Sequence, residues 1–192
     1  MNRRAFVTRG CACVTLLLAG TARSLPETSE AQPKGETKPA VEDLTQSLNP
    51  AQVMAVLSDI DRSGDSRLTD AVFTRWGNQC FQSSSRLKEF VAKQKADFPG
   101  YVERVNSGRN RYWERLDYDP AKGILKITSR KFGKCICAYA QCSQPARALC
   151  THCCKAFQAE FFRAMTGREV TVQIDEGILL GGERCRTTVY LR

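Results

Sequence analysis

The residues of this sequence with the clearest chemical reach are its ten cysteines, seven of which lie between Lys134 and Arg192. Cys135 and Cys137 form a CxC; twelve residues later Cys150 and Cys153 form a CxxC. Two close thiol pairs about a dozen residues apart is the spacing of a structural zinc site, in which four thiolates close a tetrahedron around the ion. Cys142, Cys154, His152 and Cys185 extend the donor set. The metal candidates are therefore Cys135, Cys137, Cys150, Cys153, Cys154 and Cys185, with zinc the expected ion and an iron–sulfur cluster the alternative. Two other uses of the thiols compete with a metal. They can pair as disulfides, or lie buried and unreacted as small hydrophobes.

Catalysis has less to stand on. A helix N-terminus near Cys150 to Cys154 lowers a thiol pKa in principle. His152, the one histidine, is two residues from Cys154, and residues i and i+2 of a helix point apart, so the two are not a nucleophile and its base. No phosphate loop, HExxH, GxSxG or dinucleotide fingerprint is present. No catalytic residue is assigned, and the expectation leans away from an enzyme. Basic residues are dispersed and not interleaved with aromatics, which argues against nucleic acid as a partner.

The elements that must carry these cysteines are legible from periodicity. Cys150, Cys153, Cys154, Phe157, Phe161 and Met165 repeat at the spacing of one apolar helix face. Ser143 with Pro145 marks a start and Gly167 a left-handed stop. The period then changes to two: Val170, Val172 and Ile174 alternate with polar residues, and so do Cys185, Thr187, Val189 and Leu191 after Gly181-Gly182. A helix feeding an antiparallel hairpin is expected. Phe157, Phe161 and Phe162 are candidates to line a ligand pocket between them, with plain core as the alternative.

This order, a Cys-rich helix ending in Phe-Phe and MTGREV, a strand, a glycine turn and a final GGERCR strand, resembles the C-terminal half of the 4-vinyl reductase (hydrocarbon-binding) superfamily and a group of bacterial Cys-rich proteins related to it. The likeness covers about the last sixty residues. It implies a pocket for a small hydrophobic or aromatic molecule, and a zinc ion near the final hairpin with Cys185 among its ligands. The zinc-holding members carry a further cysteine about eight residues earlier, where this chain has Gly177. The region is more distantly similar to the 2-amino-thiazoline-4-carboxylate hydrolase family, which implies a hydrolase as the second reading; that family tends to have an acidic residue near the place of Cys153.

Residues 1–22 place Arg3-Arg4 before a short apolar run and end in Gly20-Thr21-Ala22, which resembles a twin-arginine export signal and directs the protein to the periplasm or cell envelope. The run is too short for a stable membrane span. Its removal takes away Arg3, Arg4 and Arg9, so net charge falls from +9 to +6, and eight cysteines remain. Cargo of that route folds before export, where thiols stay reduced, which favours a metal over early disulfides. Residues 23–48 are rich in Pro, Glu, Thr and Ser and read as a disordered tether.

Residues 49–192 then form one globular domain. Asn49 and Pro50 open a first helix, and further helices are expected over about 68–80 and around Leu87 to Val91. Between the first two, Asp59 to Asp70 places oxygen side chains at calcium-loop positions 1, 3, 5 and 12 with Gly64 at position 6, although Ser66 and Asp70 depart from that pattern. A polar turn between helices is the alternative. Tyr112 to Tyr118 and Ile124 to Thr128 flank a Pro/Gly turn as a hairpin. The fold class is α+β, an N-terminal helical subdomain followed by an antiparallel sheet of about four strands packed on one long helix. The function expected is an exported small-molecule-binding or sensing domain stabilised by cysteine-bound zinc, with a homodimer compatible with it. A redox or metal-handling protein is the third reading.

Overall fold

A computed structural model describes residues 50–141 and 146–192. The export signal, the tether, Asn49 and Cys142 lie outside the described residues.

Four helices come first: α1 (Pro50–Arg62), α2 (Ser66–Gln82), α3 (Ser85–Gln94) and α4 (Phe98–Arg104). Each of the last three begins on a side chain that accepts the otherwise orphaned N–H groups of the first turn. Asp65 caps α2 through Arg67 and Leu68, Ser84 caps α3 through Leu87, and Asp97 caps α4 through Gly100. Pro99 sits in the first turn of α4, where no donor is missed.

Strands β1 (Trp113–Asp119) and β2 (Ile124–Ser129) make the expected hairpin, and β3 (Val170–Glu176) pairs with β4 (Arg186–Leu191). The four strands form one antiparallel sheet in the order β1-β2-β4-β3, so β2 and β4 are the central pair. Alternation decides the faces. Leu116, Leu125, Ile127, Val172 and Val189 are buried on one face, while Arg115, Asp117, Lys126 and Arg186 are exposed on the other.

The long helix α5 (Lys155–Thr166) covers the apolar face with Phe161, Phe162 and Met165, and ends on left-handed Gly167 (φ 70°). Val91, Phe98, Tyr101 and Val102 from α3 and α4 complete this sheet-facing core. A second core cluster lies between α1, α2 and the approach to α5: Val53, Met54, Leu57, Phe73, Trp76, Ala146, Ala148, Leu149 and Cys153. Trp76 Nε1 is buried there with no hydrogen-bond partner among the described residues. None of the described helices is long and apolar enough to cross a membrane.

The segment that carries the cysteines enters α5 through a π turn, Leu149–Cys154, instead of a continuous α-helix. Its i→i+5 closure is wider than an α-turn, so side-chain positions fall on different faces than α-helical spacing would give.

Candidate thiol centre

Three segments bring sulfur to one end of the sheet. Cys185 immediately precedes β4, and Ser129 at the end of β2 holds it from both sides. The Ser129 N–H donates to the Cys185 carbonyl at 2.9 Å, and the Cys185 N–H donates to Ser129 Oγ at 3.0 Å. The chain leaving β2 runs to Cys135 and Cys137. The π turn supplies Cys150 and Cys154. Cys150 is buried, and its sulfur rests against Gly177 in the β3–β4 connection, so closely that a Cβ at Gly177 would stand 2.4 Å from it.

The electrostatics join these positions. Burial first, then the neighbouring Cys185, Cys135 and Cys137, push the Cys150 thiol up to about 12. Cys154 is only partly covered as a residue, yet burial of its sulfur, with Cys150, Cys185 and Cys137 nearby, pushes that thiol up to about 12 as well, against the opposing pull of a hydrogen bond from Gln158. Cys135 is raised by burial and by Cys185, and the Cys137 backbone N–H works the other way. Five cysteines from the β2 exit, the π turn and the β4 entry thus feel one another. Among the described residues, no three His, Cys, Asp or Glu side chains form a group ready to hold a metal ion.

Cys153 stands elsewhere. The π turn directs it into the second core cluster with Trp76 and Leu149, and its carbonyl lies against Gly77 of α2. The i, i+3 pairing of Cys150 with Cys153 assumes an α-helix, and the wider turn separates them. Cys80 packs at the edge of that same cluster.

The last turn of α1 and the beginning of α2 hold this turn and the residues leading into it. Arg147 and Ala148 N–H donate to Asp61 Oδ2 at 2.7 and 3.4 Å, and His152 Nδ1 lies 3.0 Å from Asp70 Oδ1. Asp59 pairs with Arg62, and Asp65 caps α2. Ser63 Oγ donates to the Ile60 carbonyl at 2.7 Å, so the oxygen side chains at loop positions 1, 3, 5 and 12, Asp59, Asp61, Ser63 and Asp70, are turned to four different partners. Hydrogen bonding to His152 and Thr74 holds the Asp70 carboxyl below the usual range.

The aromatic candidates are packed rather than open. Phe162 is 0% exposed, Phe161 is buried and stacked on Phe157 and Phe90, and Phe157 is partly buried against Phe81. A cleft of about 380 Å³ lies at the β1–β2 hairpin, lined by Asp117, Tyr118, Asp119, Lys122, Ile124 and Lys126, and it includes none of these phenylalanines.

No protein-family model and no curated protein matches the chain. Among solved structures it is similar to the phenol-responsive sensory domain of the transcription activator PoxR with phenol, at 17% identity and a TM-score of 0.44 over 75% of each chain. It is also similar to an H-NOX protein from S. oneidensis in the Fe(II)NO ligation state, at 13% identity and a TM-score of 0.42 over 94% of this chain and 89% of that one. At these scores the likeness carries no inference about this chain.

Proposed function

We propose that this protein is an exported small-molecule-binding or sensing domain whose helix–hairpin unit is pinned by zinc at the thiol centre. The observation that supports the reading is the seating of the Cys150 sulfur against Gly177 of the β3–β4 connection, with Cys135, Cys137, Cys154 and Cys185 close enough to influence one another electrostatically. The donor type favours zinc, although the described side chains as placed make no group of three around one point. Thiolates are soft ligands of the kind that select zinc, and a buried sulfur with a raised pKa keeps its proton unless a cation compensates the charge. Cys150, Cys154 and Cys185 would hold the ion with a fourth sulfur from the Cys135–Cys137 loop. Bound there, zinc would tie the π turn, the β2 exit and the β4 entry together.

In a sensing role the tie would fix α5 against the sheet, and the packed aromatic stack of Phe157, Phe161 and Phe90 is the surface that an aromatic ligand would have to displace. The test is metal content with thermal unfolding of the full chain. One zinc per chain and a fall in melting temperature on chelation are expected, together with an upward shift on adding aromatic small molecules. Protein that carries no metal, and whose mass shows its cysteines paired, overturns the zinc centre. Protein whose melting point responds to chelator alone is a structural metalloprotein without the ligand role.

A further inference from the structure

Helix α3 is anchored lightly. One of its ten residues is buried, Val91, whereas α4 buries three of its seven. Arg86, Lys88, Glu89 and Lys93 are exposed. Among the described residues, the one side-chain hydrogen bond joining α3 to another helix is donated by Arg104 to Gln94 Oε1 at 2.6 Å, and it lies at the surface. A segment that buries so little apolar surface opens locally at a free energy well below that of global unfolding.

The surface beneath α3 has the opposite character. Phe161 of α5 has two neighbours whose rings are nearly parallel to its own, Phe157 at 6.4 Å and Phe90 at 6.3 Å, each inclined by 15°. Phe81 meets Phe161 edge-on at 6.3 Å, and Tyr101 meets Phe90 edge-on at 5.8 Å. Phe81, Tyr101 and Phe161 are 3%, 4% and 7% exposed and come from α2, α4 and α5. Phe90 is 37% exposed and is the ring that α3 supplies to this group. When α3 swings out, Phe90 leaves with it. The flank of Phe161 that it covered is then bare and bordered by aromatic rings, which reward a flat partner in stacked or edge-on contact.

We propose that α3 is a lid and Phe90 its plug, and that opening the lid admits an uncharged planar aromatic molecule, which takes the place of the Phe90 ring against Phe161 and Tyr101. The inference rests on the ligand-binding reading given above. It adds the ligand class, the side of entry and the element that moves, and it does not involve the cysteines. In the closed form the plug competes with the ligand, so the affinity of the wild type is reduced by the fraction of molecules whose lid is shut.

Benzyl alcohol and cyclohexylmethanol, which carry the same hydroxyl on a planar and a puckered ring, are the probes. In the full chain, hydrogen exchange followed by mass spectrometry should find the amides of residues 85–94 exchanging at least about 10-fold faster than those of α5. Saturating benzyl alcohol should raise that exchange further and leave α5 protected. By calorimetry, the wild type should bind benzyl alcohol more tightly than cyclohexylmethanol, and F90A should bind benzyl alcohol about 10-fold more tightly than the wild type. Position 90 is at the surface, and circular dichroism checks that F90A is folded. Exchange in 85–94 as slow as in α5, equal affinity of the wild type for the two alcohols, or F90A binding no tighter than the wild type overturns the lid. Binding by F90A alone overturns it too, since the substitution has then created the site. Absence of binding in both proteins overturns the lid and the ligand role together, and leaves the zinc centre to be decided by metal content.

Discussion

Gly177 lacks a side chain where the Cys150 sulfur needs the room. Its φ of −143° is ordinary extended backbone, so the constraint is one of space rather than of conformation. Gly177→Ala should destabilise the protein by about 1–3 kcal/mol, the usual cost of forcing volume into a packed site. On the proposed zinc reading it should also lower the affinity of the thiol centre for metal. Urea unfolding with and without chelator measures both, and an unchanged midpoint would show that the hairpin connection yields freely. From sequence alone Gly177 stood out only as a departure from a resemblance, because contact with a cysteine twenty-seven positions away leaves no local pattern. Cys153 and Cys154 illustrate the same limit. Their spacing from Cys150 suits either residue on a helix, and only the width of the turn assigns Cys153 to the Trp76 cluster.

Elements were more legible than the joints between them. The β1–β2 hairpin, the β3–β4 pair and the glycine stop at Gly167 follow directly from period and turn residues, and the structure places all three as expected. The π turn is invisible to a search for α-helical period, since Cys150, Cys154 and Phe157 also satisfy that period. The close approach of α2 to this turn is set by Gly77, where a Cβ would stand 2.1 Å from the Cys153 carbonyl oxygen. Gly77→Ala should therefore cost stability despite alanine's better helix propensity, which on its own favours the substitution by about 1 kcal/mol. Denaturant unfolding decides the sign. The α4 cap provides a test by pH. The Gly100 backbone N–H, at 2.8 Å, and then Arg104 hold the Asp97 carboxyl below its ordinary value of 3.8. A carboxyl lowered on folding contributes stability that is present above 3.8 and lost as pH falls through the lower folded value. The stability gap between wild type and Asp97→Ala should be constant from pH 5 to 7 and shrink below about pH 4; a gap independent of pH would show that the charge plays no part.

At the scale of the molecule, the two core clusters share one segment: Cys153 belongs to the helical cluster, and Phe161 and Phe162, two turns later, belong to the sheet-facing one. They should unfold together. The two tryptophans report this separately, since Trp76 is buried in the helical cluster and Trp113 packs against the sheet-facing one. Fluorescence of a Trp113→Phe variant and far-UV circular dichroism should give one coincident transition, whereas separate midpoints would make the helical layer an independent unit. Phe162→Ala, at a fully buried position between helix and sheet, should lower stability by about 3–5 kcal/mol.

The pairing of β2 with β4 has a kinetic consequence. Ile124 sits opposite Tyr190 and Thr128 opposite Arg186, so the middle of the sheet joins stretches of chain separated by the whole cysteine-bearing segment and α5. Until that long excursion returns, the β1–β2 hairpin exposes an unsatisfied strand to any other copy nearby, and the entropy of closing so large a loop makes its return slow. A metal that gathers the two ends of the excursion early would shorten the wait, so its absence during refolding should appear first as aggregation rather than as a loosened native state.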